Sequence, residues 1–361
     1  MIKNFITACI ITMLFSSTAS AQDSTKHVSP FTWSAYVDVY WAYYTDSVGR
    51  NNYQKFPSVS PRSNQFGLNV AMLSLKYATD KVRANATVHY GDIPLSAWSS
   101  KYNFIQEANA GILLCKNLWL DGGFFRTHFG TEALFPKENY TSSISVPTFF
   151  EPYFESGFRL NYNPTKKLSF FVYALNGYGV YEDNNNKKSA GLLVTYIFND
   201  KVNIGYSGYY GDDSQQGRHL RLAHNAFLNF KGKKLKLTVG GDFITQQHSG
   251  ISNPKKSAAI ESGVLILSYD ATKKVRLYTR GEIYNDPKGI LSGVFIDANN
   301  NPTGLKIWGA TAGIEFKPVE NAYIRIEGRY LSANADQEIF RWNTESTNQR
   351  WETMIHLGVS F

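Results

Sequence analysis

The sequence predicts an all-β protein, a transmembrane antiparallel up-and-down β-barrel of about 16 strands with short periplasmic turns and long extracellular loops. Three observations support this prediction. Short and long connections alternate along the chain, aromatic residues recur at one end of alternate strands, and the final strand alternates apolar with polar residues and ends on Phe361. A barrel suits a membrane because its closed sheet leaves no backbone hydrogen bond unsatisfied.

The first element is a signal peptide over residues 1–21. Lys3 gives a positively charged start, an apolar segment runs from about residue 5 to residue 15, and Ala19-Ser20-Ala21 forms a cleavage site. The apolar segment is too short to span a bilayer as a helix. We therefore expect residues 22–361 to be exported and to form a barrel domain in the outer membrane of a Gram-negative bacterium.

The strands follow, each recognised because apolar and polar side chains alternate with a period of two. The predicted ranges are 32–44, 64–77, 81–91, 103–115, 117–125, 155–163, 167–177, 187–198, 201–210, 220–231, 234–245, 256–269, 273–283, 304–316, 321–331 and 350–361. Every proline after the signal peptide falls outside these ranges, as expected because proline cannot donate to a strand ladder. The even number of strands puts both ends of the barrel at the periplasmic side.

The connections distinguish the two ends of the barrel. The long ones cover roughly 45–63, 92–102, 126–154, 178–186, 211–219, 246–255, 284–303 and 332–349. Seven of the eight strands that descend to the short turns end at or next to an aromatic residue, namely Tyr77, Tyr162, Phe198, Phe230, Tyr269, Phe316 and Phe361, and only the strand that ends at Cys115 lacks one. Such rings form girdles at membrane interfaces. A two-domain β-sandwich would explain the alternation, but neither the unequal loops nor the girdle.

Charged residues on the polar strand faces are expected to point inward. An arginine that faces lipid at the midplane costs roughly 2–4 kcal/mol. A barrel of about 16 strands is too wide for side chains to fill, which predicts an aqueous channel. The candidate pore-lining residues are Arg276, Arg280, Arg325, Arg329, Arg350, Glu107 and Asp121.

Several segments resemble one known family. They comprise residues 36–41, 90–94, 106–111, 117–132, 141–143 and 151–157. They resemble the OmpL-like, "porin-2" type of outer-membrane β-barrel porins common in Bacteroidota, and the resemblance extends over most of the mature chain. The resemblance implies a barrel with a pore, and it brings no catalytic residues to this chain.

The longest loop, at about 126–154, is third among the long loops and is similar in position to the loop that general porins fold into the barrel. Its candidate constriction residues are Glu132, Lys137, Glu138 and Glu151. In one interpretation, this acidic loop and the basic wall select ions between them. In the alternative, the arginines pair with acidic residues on neighbouring strands, namely Glu282, Glu315, Glu327 and Glu352.

We therefore predict a pore for passive diffusion of small hydrophilic solutes. A mild anion preference is expected if inward Arg276, Arg280, Arg325 and Arg329 form a basic wall. The formal charge, which is +8 for the whole chain and one less without Lys3, adds weak support. The alternative is a non-conducting barrel subunit of a larger outer-membrane complex that uses its loops as a docking surface. A barrel-borne hydrolase is a third hypothesis, but no serine has an evident base and no histidines have metal-ligand spacing. We expect no enzyme, cofactor or metal.

The expected partners follow from the location. They are outer-membrane lipids and lipopolysaccharide, the barrel-assembly machinery, for which Phe361 is the candidate signal, and further copies of the chain or other outer-membrane proteins. Nucleic acid is excluded because an exported barrel does not meet it.

Overall fold

Sixteen antiparallel strands form a closed barrel in the computed structural model, which describes residues 29–56, 58–212, 219–251, 253 and 255–361. The strands are β1 (Phe31–Tyr44), β2 (Gln65–Ala78), β3 (Val82–Tyr90), β4 (Ile105–Cys115), β5 (Leu118–Arg126), β6 (Phe154–Tyr162), β7 (Leu168–Leu175), β8 (Ser189–Asn199), β9 (Val202–Asp212), β10 (Leu220–Lys231), β11 (Leu235–Gln246), β12 (Ala258–Asp270), β13 (Val275–Asn285), β14 (Lys306–Val319), β15 (Ala322–Ala333) and β16 (Gln349–Ser360). Each pairs with its sequence neighbours, and β16 pairs with β1. The predicted fold class is confirmed. The predicted signal peptide at 1–21 lies outside the described residues.

Two features differ from the sequence prediction. Pro318 lies inside β14, where the register with β15 shifts between Phe316 and Val319, so the missing N–H falls at an irregularity of the ladder. The long loops also contain elements that alternation did not predict. These are the helices α1 (Asp92–Ala97) and α2 (Val146–Phe150), a 3₁₀ turn (Pro136–Glu138), and two short hairpins, Phe295–Ile296 with Pro302–Thr303 and Phe340–Trp342 with Glu345–Thr347.

The outer face of the barrel is apolar. On β12, Leu265, Leu267 and Tyr269 are exposed, whereas the residues between them are buried. Predicted girdle residues such as Phe316 and Phe361 are likewise exposed near the short-turn end. None of the helices in the described part of the chain combines the length and the apolar character that a membrane span requires.

The barrel interior is partly filled by a loop that folds inward. Residues 127–153, called the constriction loop below, connect β5 to β6. Val146 of α2 packs in a buried apolar cluster with Ile244 and Ile260, and Phe150 stacks on Tyr284 with ring centroids 4.7 Å apart. Apolar side chains on the inner wall are thereby removed from water, which favours the inward position of the loop.

Candidate functional site

Five arginines and five glutamates form one cluster beside the constriction loop. We call it the Arg–Glu cluster, and its members are Arg276, Arg280, Arg325, Arg329, Arg350, Glu132, Glu282, Glu315, Glu327 and Glu352. Strand register builds it, because Arg325 lies opposite Glu315 and Arg329 lies opposite Glu352. Arg325 Nε is 2.6 Å from Glu315 Oε2. Five positive and five negative charges cancel, so the cluster is electrically neutral.

The Arg–Glu cluster holds the constriction loop by its backbone. The carboxylate of Glu327 accepts hydrogen bonds from the N–H groups of Ser142 and Ser143 at 2.6 and 3.0 Å. Arg280 Nη1 donates to the Ser143 carbonyl at 2.6 Å, and Arg325 Nη1 donates to two further loop carbonyls, each at 2.8 Å. Hydrogen bonds with one charged partner are roughly twice as strong as neutral ones. The seated position of the loop therefore depends on this cluster.

The predicted pore-lining arginines point inward, but most of them do not reach open space. Arg280, Arg325, Arg329 and Arg350 are at most 2 % exposed. Arg350 instead donates to the carbonyl of Lys55 in the first long loop at 2.9 Å. The geometry thus supports the alternative in which the arginines pair with glutamates, and the reason is that the inserted loop covers them.

Open space remains on the other side of the constriction loop. A cavity of about 430 Å³ lies between the loop and the wall formed by β4 to β10. Both apolar and charged side chains line it, and the wall contributes Glu107, Arg159, Phe171, Tyr173, Leu193, Thr195 and Phe227. This cavity is the candidate pore, and a mixed lining of this kind suits polar solutes of small size.

Three arginines on β3, β5 and β6 remain partly exposed inside the barrel. Arg83 and Arg159 both bind Asp121, at 2.6 and 2.9 Å, and their side chains are 29 % and 22 % exposed, whereas Asp121 is 1 % exposed. Arg126 pairs with Glu138, and both side chains are about 30 % exposed. Sequence analysis selected Asp121 and Glu138 but not these arginines. In the predicted strand 81–91, Arg83 is a lone arginine followed by neutral residues, which gave no reason to select it.

The four predicted constriction residues separate into two pairs. Glu132 belongs to the Arg–Glu cluster, with its side chain 1 % exposed, and Glu151 is also buried. Glu138 and Lys137 keep exposed surface. Lys137 Nζ lies 4.7 Å from the ring centre of Tyr36. Partial burial lowers the pKa of Lys137, and although Glu138 opposes this shift, nearby Arg126 and Lys76 add to it. Lys137 therefore has both cationic neighbours, Arg126 and Lys76, and an anionic one, Glu138.

Glu151 makes the stability of the constriction loop in its inward position dependent on pH. Burial raises the pKa of its carboxyl well above the usual range, and the charges of Asp242 on β11 and Glu132 in the loop raise it further. A raised carboxyl pKa means that the seated loop is most stable at low pH and loses stability as the pH rises through the raised pKa.

We expect this loss to appear as current fluctuations in single-channel recordings. Between about pH 5 and about pH 9, fluctuations in the wild type should increase, because ionised Glu151 is repelled by Asp242. The variant Glu151→Gln should show little change over the same range. An increase of the same size in both proteins would contradict this explanation.

A second buried polar network joins the first and last strands. His356 Nε2 lies 2.9 Å from Ser60 Oγ, and His356 Nδ1 lies 3.1 Å from Asp38 Oδ1. Asn69 Nδ2 also donates to Asp38 Oδ1, at 2.6 Å. The order serine, histidine, aspartate is that of a hydrolytic triad. Sequence analysis missed it because the strands bring together residues that lie far apart in the chain, and all four side chains are 0 % exposed.

Comparisons with known proteins agree with this geometry. The sequence profile of the family described as beta-barrel porin-2, OmpL-like, matches residues 30–361. Among solved structures, the chain is similar to an anion-selective porin from Comamonas acidovorans, with a TM-score of 0.63, 9% identity and coverage of 92% of this chain and 99% of that chain. It is also similar to the outer membrane channel DcaP of Acinetobacter baumannii, with a TM-score of 0.59, 11% identity and coverage of 92% and 97%. For Salmonella typhi OmpF in complex with daunomycin, the TM-score is 0.55, with 11% identity and coverage of 92% and 97%. The comparison with curated protein sequences gave no match.

Proposed function

Because this chain belongs to the OmpL-like beta-barrel porin-2 family and forms an outer-membrane channel, we propose that it admits small hydrophilic solutes by passive diffusion and mildly prefers anions. The observation that carries the proposal is the position of the constriction loop. It is seated on one wall by the neutral Arg–Glu cluster, and it leaves the cavity of about 430 Å³ on the other side. Charges that remain exposed around an aqueous path set the local potential and thereby select ions.

The anion preference is assigned to lysines rather than to the buried arginines. Lys76 and Lys137 lie close enough for the charge of one to lower the pKa of the other, and both keep exposed surface. Neither has a carboxylate within 4.0 Å among the described residues, whereas every arginine of the Arg–Glu cluster has a nearby glutamate. An unpaired cation raises the local concentration of anions.

The test is the reversal potential in a salt gradient across a planar bilayer. The wild type should show discrete open-channel steps with a small anion preference, and Lys76→Gln with Lys137→Gln should move the reversal potential toward cations, most at low salt. The matched control is Lys101→Gln with Lys188→Gln, which removes two extracellular lysines. A silent barrel that copurifies with a stoichiometric partner would instead support the non-conducting subunit, and equal shifts in both variants would refute a local role.

The Ser60–His356–Asp38 arrangement is the observation that favours a hydrolase as second candidate. Its complete burial argues against it, because a nucleophile must reach its substrate. We expect a fluorophosphonate probe to leave the folded wild type unlabelled. Labelling that disappears in Ser60→Ala, but persists in a control such as Ser99→Ala in another loop, would overturn this expectation and support the enzyme.

The remaining parts of the proposal concern export and partners. We propose that residues 1–21 act as a cleaved signal peptide and that the barrel-assembly machinery recognises Phe361. Outer-membrane lipids and lipopolysaccharide would contact the apolar outer face. Further copies of the chain or other outer-membrane proteins are the proposed protein partners.

A further inference from the structure

Lysine is concentrated on the short turns at one end of the barrel. The seven turns between β2 and β3, β4 and β5, and so on to β14 and β15 contain nine lysines, no arginine and three acidic residues. The lysines are Lys81, Lys116, Lys166, Lys167, Lys201, Lys233, Lys234, Lys273 and Lys274. Since this end is the periplasmic one, the periplasmic rim is positively charged.

Two of these turns line a pocket at the mouth of the barrel. The backbone N–H of Asp270 donates to the Lys234 carbonyl at 2.9 Å, which holds the turn at 232–234 beside the turn at 271–274. The pocket has a volume of about 420 Å³, and its cationic lining is Lys233, Lys234, Lys273, Lys274, Arg276 and Lys317. The ring of Tyr140, from the constriction loop, lies 5.3 Å from the guanidinium carbon of Arg276.

The acidic residues of the pocket are already paired. Asp270 contacts Arg276 at 2.7 Å and also binds Lys236, and Glu315 contacts Arg325 at 2.6 Å. Among the described residues, none of the four turn lysines has a carboxylate within 4.0 Å. Lys233, Lys273 and Lys274 therefore line one concave site without a carboxylate within 4.0 Å, and an anion bound there would reduce their mutual repulsion. The ammonium group of Lys234 lies beside the pocket, 5.8 Å from the ring centre of Tyr269.

We propose that this pocket binds a multivalent phosphate-bearing anion. Lysine binds phosphate as a point charge, and lysines on flexible stems adapt to several phosphate groups at once. Two sources carry this chemistry, namely a soluble polyphosphorylated solute in the periplasm and the headgroup of a phospholipid with two phosphates, such as cardiolipin, in the inner leaflet. The site lies at the mouth of the proposed channel, but binding there does not require conduction.

The test is titration calorimetry of the folded full-length protein with inorganic tripolyphosphate in a zwitterionic detergent at low salt. Substituting Lys233, Lys234, Lys273 and Lys274 with glutamine should weaken binding at least about tenfold. The matched control substitutes Lys81, Lys116, Lys166 and Lys167 with glutamine, which removes the same charge from the same rim outside the pocket, and should change affinity less than about twofold. Heat-modifiability on gels verifies that both variants fold.

If both variants lose the same affinity for tripolyphosphate, the anion is attracted by the whole charged rim and the pocket is not a specific site. If the wild type does not bind tripolyphosphate, the proposed site is also refuted. Nanodiscs distinguish the two sources. If tripolyphosphate binds in phosphatidylethanolamine discs and is displaced when about a fifth of the lipid is cardiolipin, which carries two phosphates, the natural ligand is a lipid headgroup. If it is not displaced, the ligand is a soluble anion. Because calorimetry measures no current, a channel that fails to conduct leaves this result unaffected.

Discussion

Glu327→Gln should release the constriction loop and raise the single-channel conductance severalfold. The carboxylate of Glu327 accepts three hydrogen bonds from Ser142 and Ser143. Glutamine puts an N–H₂ group near these donors and leaves the buried Arg–Glu cluster with one uncompensated positive charge. Removing one partner from a buried charge network costs about 3–5 kcal/mol. That cost falls on the seated loop, because its backbone amides are the groups that lose their acceptor.

The control is Asp121→Asn on the opposite wall. Asp121 is also a buried carboxylate between arginines, but its bonds go to Arg83 and Arg159 on strands and none to the constriction loop. Its conductance should therefore stay near the wild-type value. Unchanged conductance in Glu327→Gln, or an equal rise in both variants, would show that the cluster does not hold the loop.

Replacing Phe361 with lysine should reduce the heat-modifiable protein in outer-membrane preparations to a small fraction of the wild-type amount. Phe361 extends the seam between β16 and β1, because Ala35 N–H donates to its carbonyl at 2.6 Å and its own N–H donates to the Ala35 carbonyl at 3.0 Å. The ring lies edge-on to Trp33 with centroids 6.2 Å apart and is 62% exposed on the outer face. A charge at this position would face lipid and disturb the last contact of the seam.

The matched control is Phe316→Lys, because Phe316 is an exposed aromatic residue at the same interface but lies within the chain. If Phe361 acts as an assembly signal, the control should assemble far better than Phe361→Lys. Equal losses would mean that the interface simply rejects lysine, and full assembly of Phe361→Lys would refute the signal.

The alternation of apolar and polar residues was sufficient to predict the barrel. The sequence of each strand alone shows which side chains face lipid and which face inward. It could not predict which inward arginines stay open to the lumen, because that depends on where the constriction loop lies. One indication of the covered wall was present in the sequence of β12. Val264 and Ile266 point inward although they are apolar, and in a water-filled barrel they would be exposed to solvent. Apolar residues on both faces of a barrel strand indicate that something covers the inner one.

Contacts between distant residues were beyond the reach of sequence patterns. Ser60 and His356 meet only because β16 closes onto β1, and Glu132 meets Arg280 only because the loop folds inward. Each of these residues looks ordinary in its own segment. The family resemblance was informative about the barrel and the pore, but it did not identify the residues that seat the loop.

The Asp38–His356 contact distinguishes the correct register between β16 and β1 from a shifted one. Sliding β16 by two residues along β1 would keep every apolar side chain facing outward, so the alternating pattern tolerates that error. The same slip would move His356 by roughly 7 Å, out of reach of Asp38 and Ser60. The two closures would present the same face to lipid, but only the native one keeps Asp38, Ser60 and His356 hydrogen-bonded to one another in the interior. The correct register is thus selected by hydrogen bonds in the barrel interior, because burial of the apolar outer face in lipid is the same for both registers.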